Sequence, residues 1–404
     1  MSSDHPIPAS GPLSGLRVIE MGSFIAGPFC GQLLADLGAD VIKIEPPRKG
    51  DAMREWGAAR KNGETLWWSV IARNKRSLAL DLRGAEGQKV VSALLGHADI
   101  LVENFRPGTL EKWGLAPDSL MARNPRLIVA RVSGFGQTGP WAGRTGFGAI
   151  AEAMAGLRHL GGFADRPPVR TGLSVGDSLA GMFTCIGVLA ALHERDKSGQ
   201  GQVVDVGITD AVLAISESIL AEFSATGAVR GRTGTSLPRI APSNIYPVAG
   251  DGWVLIAANG DAIFRRLARA MGQPALCDDP RFATHMARGD NQQVLDQIIA
   301  DWTARHTESA LLALMEDHAI PAGPICTAAD VHANPHFRAR GAVVDIPTQR
   351  FGSLTMQGVV PRLSRTPGAI RWDGPQLGEH TDQILGSLGY GGHDIEALRA
   401  KGTI

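Results

Sequence analysis

The chain lacks most of the features that would place it at a glance. Only four of its 404 residues are cysteines, at positions 30, 185, 277 and 326. No two stand within four residues of each other, which removes both a C-x-x-C redox pair and a compact zinc site. Three of them sit in apolar contexts and read as buried thiols, so a reducing cytoplasm is the expected setting. Net charge is also missing: 40 Lys and Arg balance 40 Asp and Glu. A uniformly basic nucleic-acid binder and a highly charged disordered chain are thereby excluded. The longest apolar run, 182–192, is 11 residues long and interrupted by Thr184 and Gly187. A membrane span needs ~20 residues, so none is expected. The opening Met-Ser-Ser-Asp-His-Pro has neither the basic nor the apolar region of a signal peptide.

Catalytic signatures are equally scarce. There is no H-E-x-x-H, no G-x-S-x-G and no G-x-x-x-x-G-K-[ST]. His332 and His336 are four apart, but Pro335 prevents a regular helix from aligning them. No metal site is expected, and a carboxylate becomes the nucleophile to consider.

What is present is glycine and alternation. The 50 glycines exceed the usual ~7% and imply many tight turns and close backbone approaches. Residues 1–14 are polar and read as a loose arm. Strand patterns then follow at 16–21, 41–45, 77–82, 100–105, 127–133 and 202–208. Helical patterns intervene at 27–37, 85–95, 147–157 and 178–195, and 210–226 follows the last strand. A strand, a helix and a strand within 30 residues imply a parallel pair with a right-handed crossover. The fold class is therefore α/β, with a buried, mostly parallel sheet. Loop chemistry at 228–250 opens a second texture, with one strand near 253–258 and helices at 261–271, 291–305 and 308–318. The division expected is a large domain of 1–227 plus 326–404, with a smaller domain at 228–325.

Charge is informative locally. From Lys43 to Arg144 there are 17 Lys and Arg against 10 Asp and Glu. A cationic surplus in one α/β segment suits an anionic small ligand, although a solvated basic face has the same signature. Gly134-Phe-Gly-Gln-Thr-Gly139 matches G-x-G-x-x-G after a strand. Pro140 and Trp141 follow it and no helix begins until about 147, whereas a dinucleotide loop needs the helix N-terminus at the phosphate. A plain glycine-rich loop is the better reading. Asp177 stands just before a very apolar helix, which is the signature of an N-cap. The same place suits a carboxylate nucleophile, because a helix N-terminus favours negative charge. Gly176 and Gly181 leave room there for a close approach. Asp205 and Asp210 are weaker competitors.

Several motifs together resemble the family III CoA-transferases, which include the formyl-CoA and carnitine CoA-transferases. They are Gly15-Leu-Arg-Val-Ile-Glu-Met21 with Ala26-Gly-Pro28, then Leu37-Gly-Ala-Asp-Val-Ile-Lys-Ile-Glu45, Asn74-Lys-Arg-Ser77, Val102-Glu-Asn-Phe105, Gly176-Asp-Ser178 and Leu377-Gly-Glu-His-Thr381. They occur in the family's order from about residue 13 onward. The resemblance implies a large Rossmann-like domain built from both chain ends, a smaller α+β domain, and a homodimer of interlocked chains. It implies an aspartyl-CoA thioester on Asp177. It also implies CoA contacts at Ser23, Ile25, Ala26, Asn74, Lys75, Asn104, Phe105, Lys112 and Phe135.

Coenzyme A would be a co-substrate, with no other cofactor. The partners implied are an acyl-CoA such as succinyl-CoA and a small carboxylic acid, with no nucleic acid and no membrane. Ser23 and Ile25 stand where formyl-CoA transferase has other residues, and a run of four glycines in the small domain is missing. The Gly136–Pro140 loop and the surroundings of Arg170 look more like members acting on larger dicarboxylic acids. Two alternatives remain: an α-methylacyl-CoA racemase of the same fold, and a non-catalytic CoA-binding protein. His159, 18 residues before Asp177, does not match the racemase placement.

Overall fold

The computed structural model describes residues 11–404; most of the expected N-terminal arm, 1–10, lies outside them. The chain forms two compact units. Among the described residues the larger comprises 11–157, Thr171–Ala221 and Pro335–Ile404, and the smaller comprises Arg158–Arg170 and Glu222–Asn334. The smaller unit is thus wider than 228–325 and takes in a second segment, 158–170, that looks like part of the large domain in sequence.

In the large unit the chain runs through β1 (Arg17–Glu20), α1 (Ala26–Asp36), β2 (Asp40–Glu45), β3 (Lys75–Ala79), α2 (Ala85–Gly96), β4 (Ile100–Glu103) and β5 (Ile128–Ser133). It continues through α3 (Gly148–Met154), α4 (Val175–Ser198), β6 (Val203–Gly207) and α5 (Ile208–Ala214). The six strands form one sheet in the order β3-β2-β1-β4-β5-β6, and all pairs are parallel. This is the doubly wound order, whose direction reverses between β1 and β4. Alternate residues along each strand feed two cores. Ile19, Ile42, Leu78, Leu101 and Val129 meet α2 and the C-terminal helices through Val90, Leu94, Ile384 and Leu398. Val18, Val41, Ile100, Val102 and Ile128 meet α1 and α4 through Cys30, Leu34, Cys185 and Val188. Burial on both faces is what a parallel sheet requires.

Helix α4 is 24 residues long, with a mean hydropathy of 1.7 over its most apolar window, and by length and composition could cross a membrane. That exceeds the 11-residue run expected from the sequence. Here it is a core helix against α1 and the sheet. Gly181 permits the crossing with α1, since a Cβ there would lie 2.8 Å from the Ala26 carbonyl oxygen. The room at Gly181 is therefore filled by the fold, not left for a ligand. Burial raises the Cys30 and Cys185 thiols well above the ordinary range, the latter to about 11. Cys277 is half-buried, whereas Cys326 is exposed.

The returning C-terminal segment covers the β3 edge. Gly378 N–H donates to Ser77 Oγ at 2.9 Å, His380 N–H to the Ser77 carbonyl at 3.0 Å, and Ala79 N–H to Thr381 Oγ1 at 3.1 Å. Two of the sequence motifs are thus each other's structural partners.

The smaller unit is α+β. Its antiparallel sheet runs Ala322–Pro324, Trp253–Ala257, Ser243–Pro247. Its core gathers Tyr246, Val254, Ile256, Phe264, Phe282, Leu295, Ile299 and Leu311. Ser243–Pro247 forms a strand where the sequence suggested loop, because pairing with Trp253–Ala257 outweighs the turn chemistry of the preceding Ala-Pro.

Candidate active site

Loops after parallel strands emerge on one edge of a sheet, and the ligand crevice lies where the strand order reverses. That point falls between β1 and β4, and two of the motifs meet there. Ser23 N–H donates to Asn104 Oδ1, and Asn104 Nδ2 donates back to the Ser23 carbonyl, both at 2.7 Å. The Asn104 side chain fits between Gly22 and Gly27, where Cβ atoms would come within 3.0 and 3.3 Å of it. Asn104 therefore braces the β1–α1 turn with its amide. Phe105 is half-buried, its ring 5.0 Å from that of Trp113.

Beneath this turn lies a buried ionic cluster. Lys43 Nζ sits 3.0 Å from Glu20 Oε1 and 2.9 Å from Asp51 Oδ2, and Lys75 Nζ sits 2.7 Å from Glu20 Oε2. The ammonium groups also donate to main-chain oxygens, Lys43 to Gly22 and Lys75 to Pro28. Glu20 and Lys75 are fully buried, and Lys43 is 1% exposed. Burial pulls the Lys75 ammonium below the ordinary lysine range despite Glu20. Burial pushes the other way on Glu20, but Lys75 and Lys43 together hold its carboxyl below the ordinary range.

The nine expected CoA contacts therefore divide. Asn74 is buried with φ +62°, its amide held by Asp36, the Ala369 carbonyl and Arg371 N–H. Lys75 is locked to Glu20. Ile25 packs with Met53, Trp68 and Ile71, and Ala26 is buried beside α4. These four side chains build the floor. Ser23, Asn104 and Phe105 gather at the switch point, with the main chains of 25–26 starting α1. Lys112 is exposed at the end of a one-turn helix, Thr109–Lys112, and Phe135 follows β5.

Asp177 lies inside α4 and is not its N-cap: the cap position is Ser174, and Asp177 is the third helical residue. Val175 and Gly176 are already helical because a side chain satisfies the helix end from elsewhere. Gly176 N–H donates to Glu152 Oε1 at 3.1 Å, from α3. In the first turn the unbonded N–H groups still favour a negative charge. The carboxylate rests on Gly148: a Cβ there would come 2.2 Å from Asp177 Oδ2. Asp177 itself is half-buried.

Sequence reasoning missed an aromatic group beside it. Phe24, in the loop after β1, has φ +64°, and its N–H donates to Asp51 Oδ1 at 3.2 Å. Its ring lies 5.2 Å from Trp56 and 6.0 Å from Phe147. Phe147 immediately precedes Gly148 and is 57% exposed. The Gly146-Phe-Gly148 run was the available signal, since an aromatic between two glycines in a loop is poorly placed to be core. Among the described residues no cluster of His, Cys, Asp and Glu could hold a metal ion.

A half-buried carboxylate in the first turn of a helix, seated against Gly148 beside the Phe147 ring, has the chemistry to attack an acyl carbon. Residues 13–381 match the family model for CoA-transferase family III. The chain belongs to that family, and it is a CoA-transferase, using CoA thioesters as co-substrates. It is 55% identical over 405 residues to succinyl-CoA--D-citramalate CoA-transferase of Chloroflexus aurantiacus, covering 100% of both chains. It is 41% identical to the beta subunit of succinyl-CoA--L-malate CoA-transferase of the same organism, covering 97% of this chain and 98% of that one. A CAIB/BAIF family protein from Brucella suis matches it in structure with a TM-score of 0.83 and 36% identity, over 94% of this chain and 100% of that one.

Proposed function

We propose that the protein transfers CoA from succinyl-CoA to a dicarboxylic acid of the citramalate type, with Asp177 as nucleophile. The carrying observation is the Asp177 carboxylate, seated on Gly148 in the first turn of α4. The Asp177 oxygen attacks the donor thioester carbonyl; the C–S bond breaks, leaving a mixed anhydride and CoA thiolate. The thiolate attacks the aspartyl carbonyl, releases succinate and leaves an aspartyl-CoA thioester. The acceptor carboxylate then attacks that thioester, and the released thiolate takes the acceptor's acyl group, restoring Asp177. No proton or electron is gained or lost, and every intermediate stays activated. The anhydride must be kept from water, which is the role we give the Phe24, Trp56 and Phe147 rings. The Ser23, Asn104 and Phe105 edge is the proposed seat of CoA, with Lys112 and Phe135 as outlying contacts.

The substrate reading draws on the two relatives named for succinyl-CoA with D-citramalate and with L-malate. Mixing the purified protein with succinyl-CoA and D-citramalate should give citramalyl-CoA and succinate in equal amounts. Citramalyl-CoA formation at a rate no greater than that of an Asp177→Asn control would refute the acceptor. Exchange of an α-proton of an acyl-CoA in D2O, with no change of carrier, would indicate a racemase instead.

A second copy of the chain is part of this reading. Met182, Ile186 and Leu189 on α4 and Leu213 and Ile215 at the end of α5 are exposed, Ile186 by 60%. Exposed large apolar side chains in this number suit an interface. Light scattering should give about twice 42.7 kDa even after dilution to nanomolar concentration, and a single-chain mass would contradict the dimer. Four unpaired cysteines suit the reducing cytoplasm. Recovery of the protein from an oxidising compartment would contradict that location.

A further inference from the structure

The glycine-rich loop after β5 has the spacing of a phosphate-binding turn, but one of the chain's own carboxylates fills it. Gly136 and Gly139 adopt φ +83° and +82°, conformations that glycine takes without strain. The turn aims the Gln137 N–H at Asp205 on β6, 3.1 Å from Oδ1 and 3.0 Å from Oδ2. Successive main-chain N–H groups in such a turn make an anion-binding concavity. Here the Gln137 N–H is taken by Asp205, and the Asp210 carboxylate lies equally close to Gly136. A second tie holds the start of the loop: Thr209 donates to the Gly134 carbonyl from its N–H at 3.2 Å and its Oγ1 at 3.3 Å.

The pinned loop is continuous with the seat of Asp177. A Cβ on Gly134 would meet Gly146 Cα at 3.0 Å, and a Cβ on Gly146 would meet Phe135 Cε2 at 3.0 Å. The Phe135 ring is itself held edge-on by Trp141, centroids 5.7 Å apart. Two residues beyond Gly146 is Gly148, on which the Asp177 carboxylate rests. Neither glycine has space for a Cβ, so the 134–139 turn and the 146–148 segment pack directly on each other, and a shift of the turn presses on the seat of Asp177.

We infer that Asp205 is a positioning residue for the transferase reaction: its carboxylate, bound by the Gln137 N–H, fixes the 134–148 segment against Asp177. The inference rests on Asp177 being the nucleophile. Asp205 is on the exposed side of β6 and touches no reacting atom, so it acts through the loop.

The test uses Asp205→Ala and Asp205→Asn in the full-length protein, with Asp177→Asn alongside. With saturating succinyl-CoA and no acceptor, the rate of aspartyl-CoA formation is read by mass spectrometry of the peptide containing residue 177. Thermal melting and amide hydrogen exchange of 134–148 are read on the same samples. Asp205→Ala should slow adduct formation about tenfold and speed exchange at Gln137, with melting nearly unchanged. Asp205→Asn keeps an acceptor oxygen for the Gln137 N–H and should stay within about threefold of wild type. This rescue is what a merely structural role would not show. Wild-type adduct formation by Asp205→Ala, or equal loss in both variants, overturns the inference. Should Asp205→Ala not fold, slowing of Asp205→Asn beyond tenfold with normal melting would overturn it in the same way. An inactive Asp177→Asn beside a fully active Asp205→Ala would defeat the positioning role alone. An active Asp177→Asn would defeat the nucleophile itself.

Discussion

Asp177→Asn should abolish CoA exchange while leaving the fold intact. An amide oxygen cannot form the mixed anhydride, so the loss should reach the detection limit. Asn is nearly isosteric with Asp and keeps an acceptor oxygen, so stability should change by no more than about 1 kcal/mol. The wild type, given succinyl-CoA alone, should accumulate an aspartyl-CoA adduct on the peptide containing residue 177, and hydroxylamine should release the CoA. Gly148→Ala offers a graded version. Its Cβ would sit 2.2 Å from Asp177 Oδ2, so the carboxylate must move. A displacement of about 1 Å can cost on the order of 100-fold in rate. Full turnover by Asp177→Asn would return the residue to a purely structural role at the helix start.

Lys75→Met should act on stability first. The Lys75 ammonium is fully buried, 2.7 Å from Glu20 Oε2, and its loss leaves Glu20 with Lys43 alone. Removing one partner of a buried pair costs about 3–5 kcal/mol. At roughly 2 °C per kcal/mol for a unit of this size, the melting temperature should fall by about 5–10 °C. Adding Glu20→Gln should recover part of it, because the uncompensated carboxylate is then gone and Lys43 keeps Asp51. An exposed CoA contact would behave in the opposite way, with weaker CoA binding and normal melting. That result would mean that Lys75 meets the ligand directly and that the buried cluster is not its role.

The difference between these two residues shows what local sequence reports. Asp177 is marked in the sequence by its place before an apolar helix and by the Gly-Asp motif, and in the structure it sits in the first turn of that helix against Gly148. Its depth in the helix was off by three residues, because the partner of the Gly176 N–H, Glu152, comes from another helix. Lys75 belongs to an equally specific motif, yet its partners are Glu20 on β1 and the Pro28 carbonyl. The basic surplus from Lys43 to Arg144 pointed to an anionic ligand, but Lys43, Arg73 and Lys75 within it spend their charge on buried carboxylates. Strand 243–247 is defined by its pairing with 253–257 across a short hairpin and not by its own turn-like residues, and 158–170 joins the smaller unit through residues from 222 onward.

The sequence by itself determined the α/β class, the succession of strands and helices, the family and a single carboxylate to test. Those follow from periodicity, glycine placement and short motifs, all of which are local. Only the tertiary structure decided which distant residues the motif side chains bond to. Asn74 is consumed by Asp36 and Ala369, Ser77 by Gly378, and Asn104 by Ser23. These partners lie from 38 to more than 300 positions away along the chain. A hydrogen bond is satisfied by whatever the fold brings within 3 Å, and spacing in sequence carries no record of that.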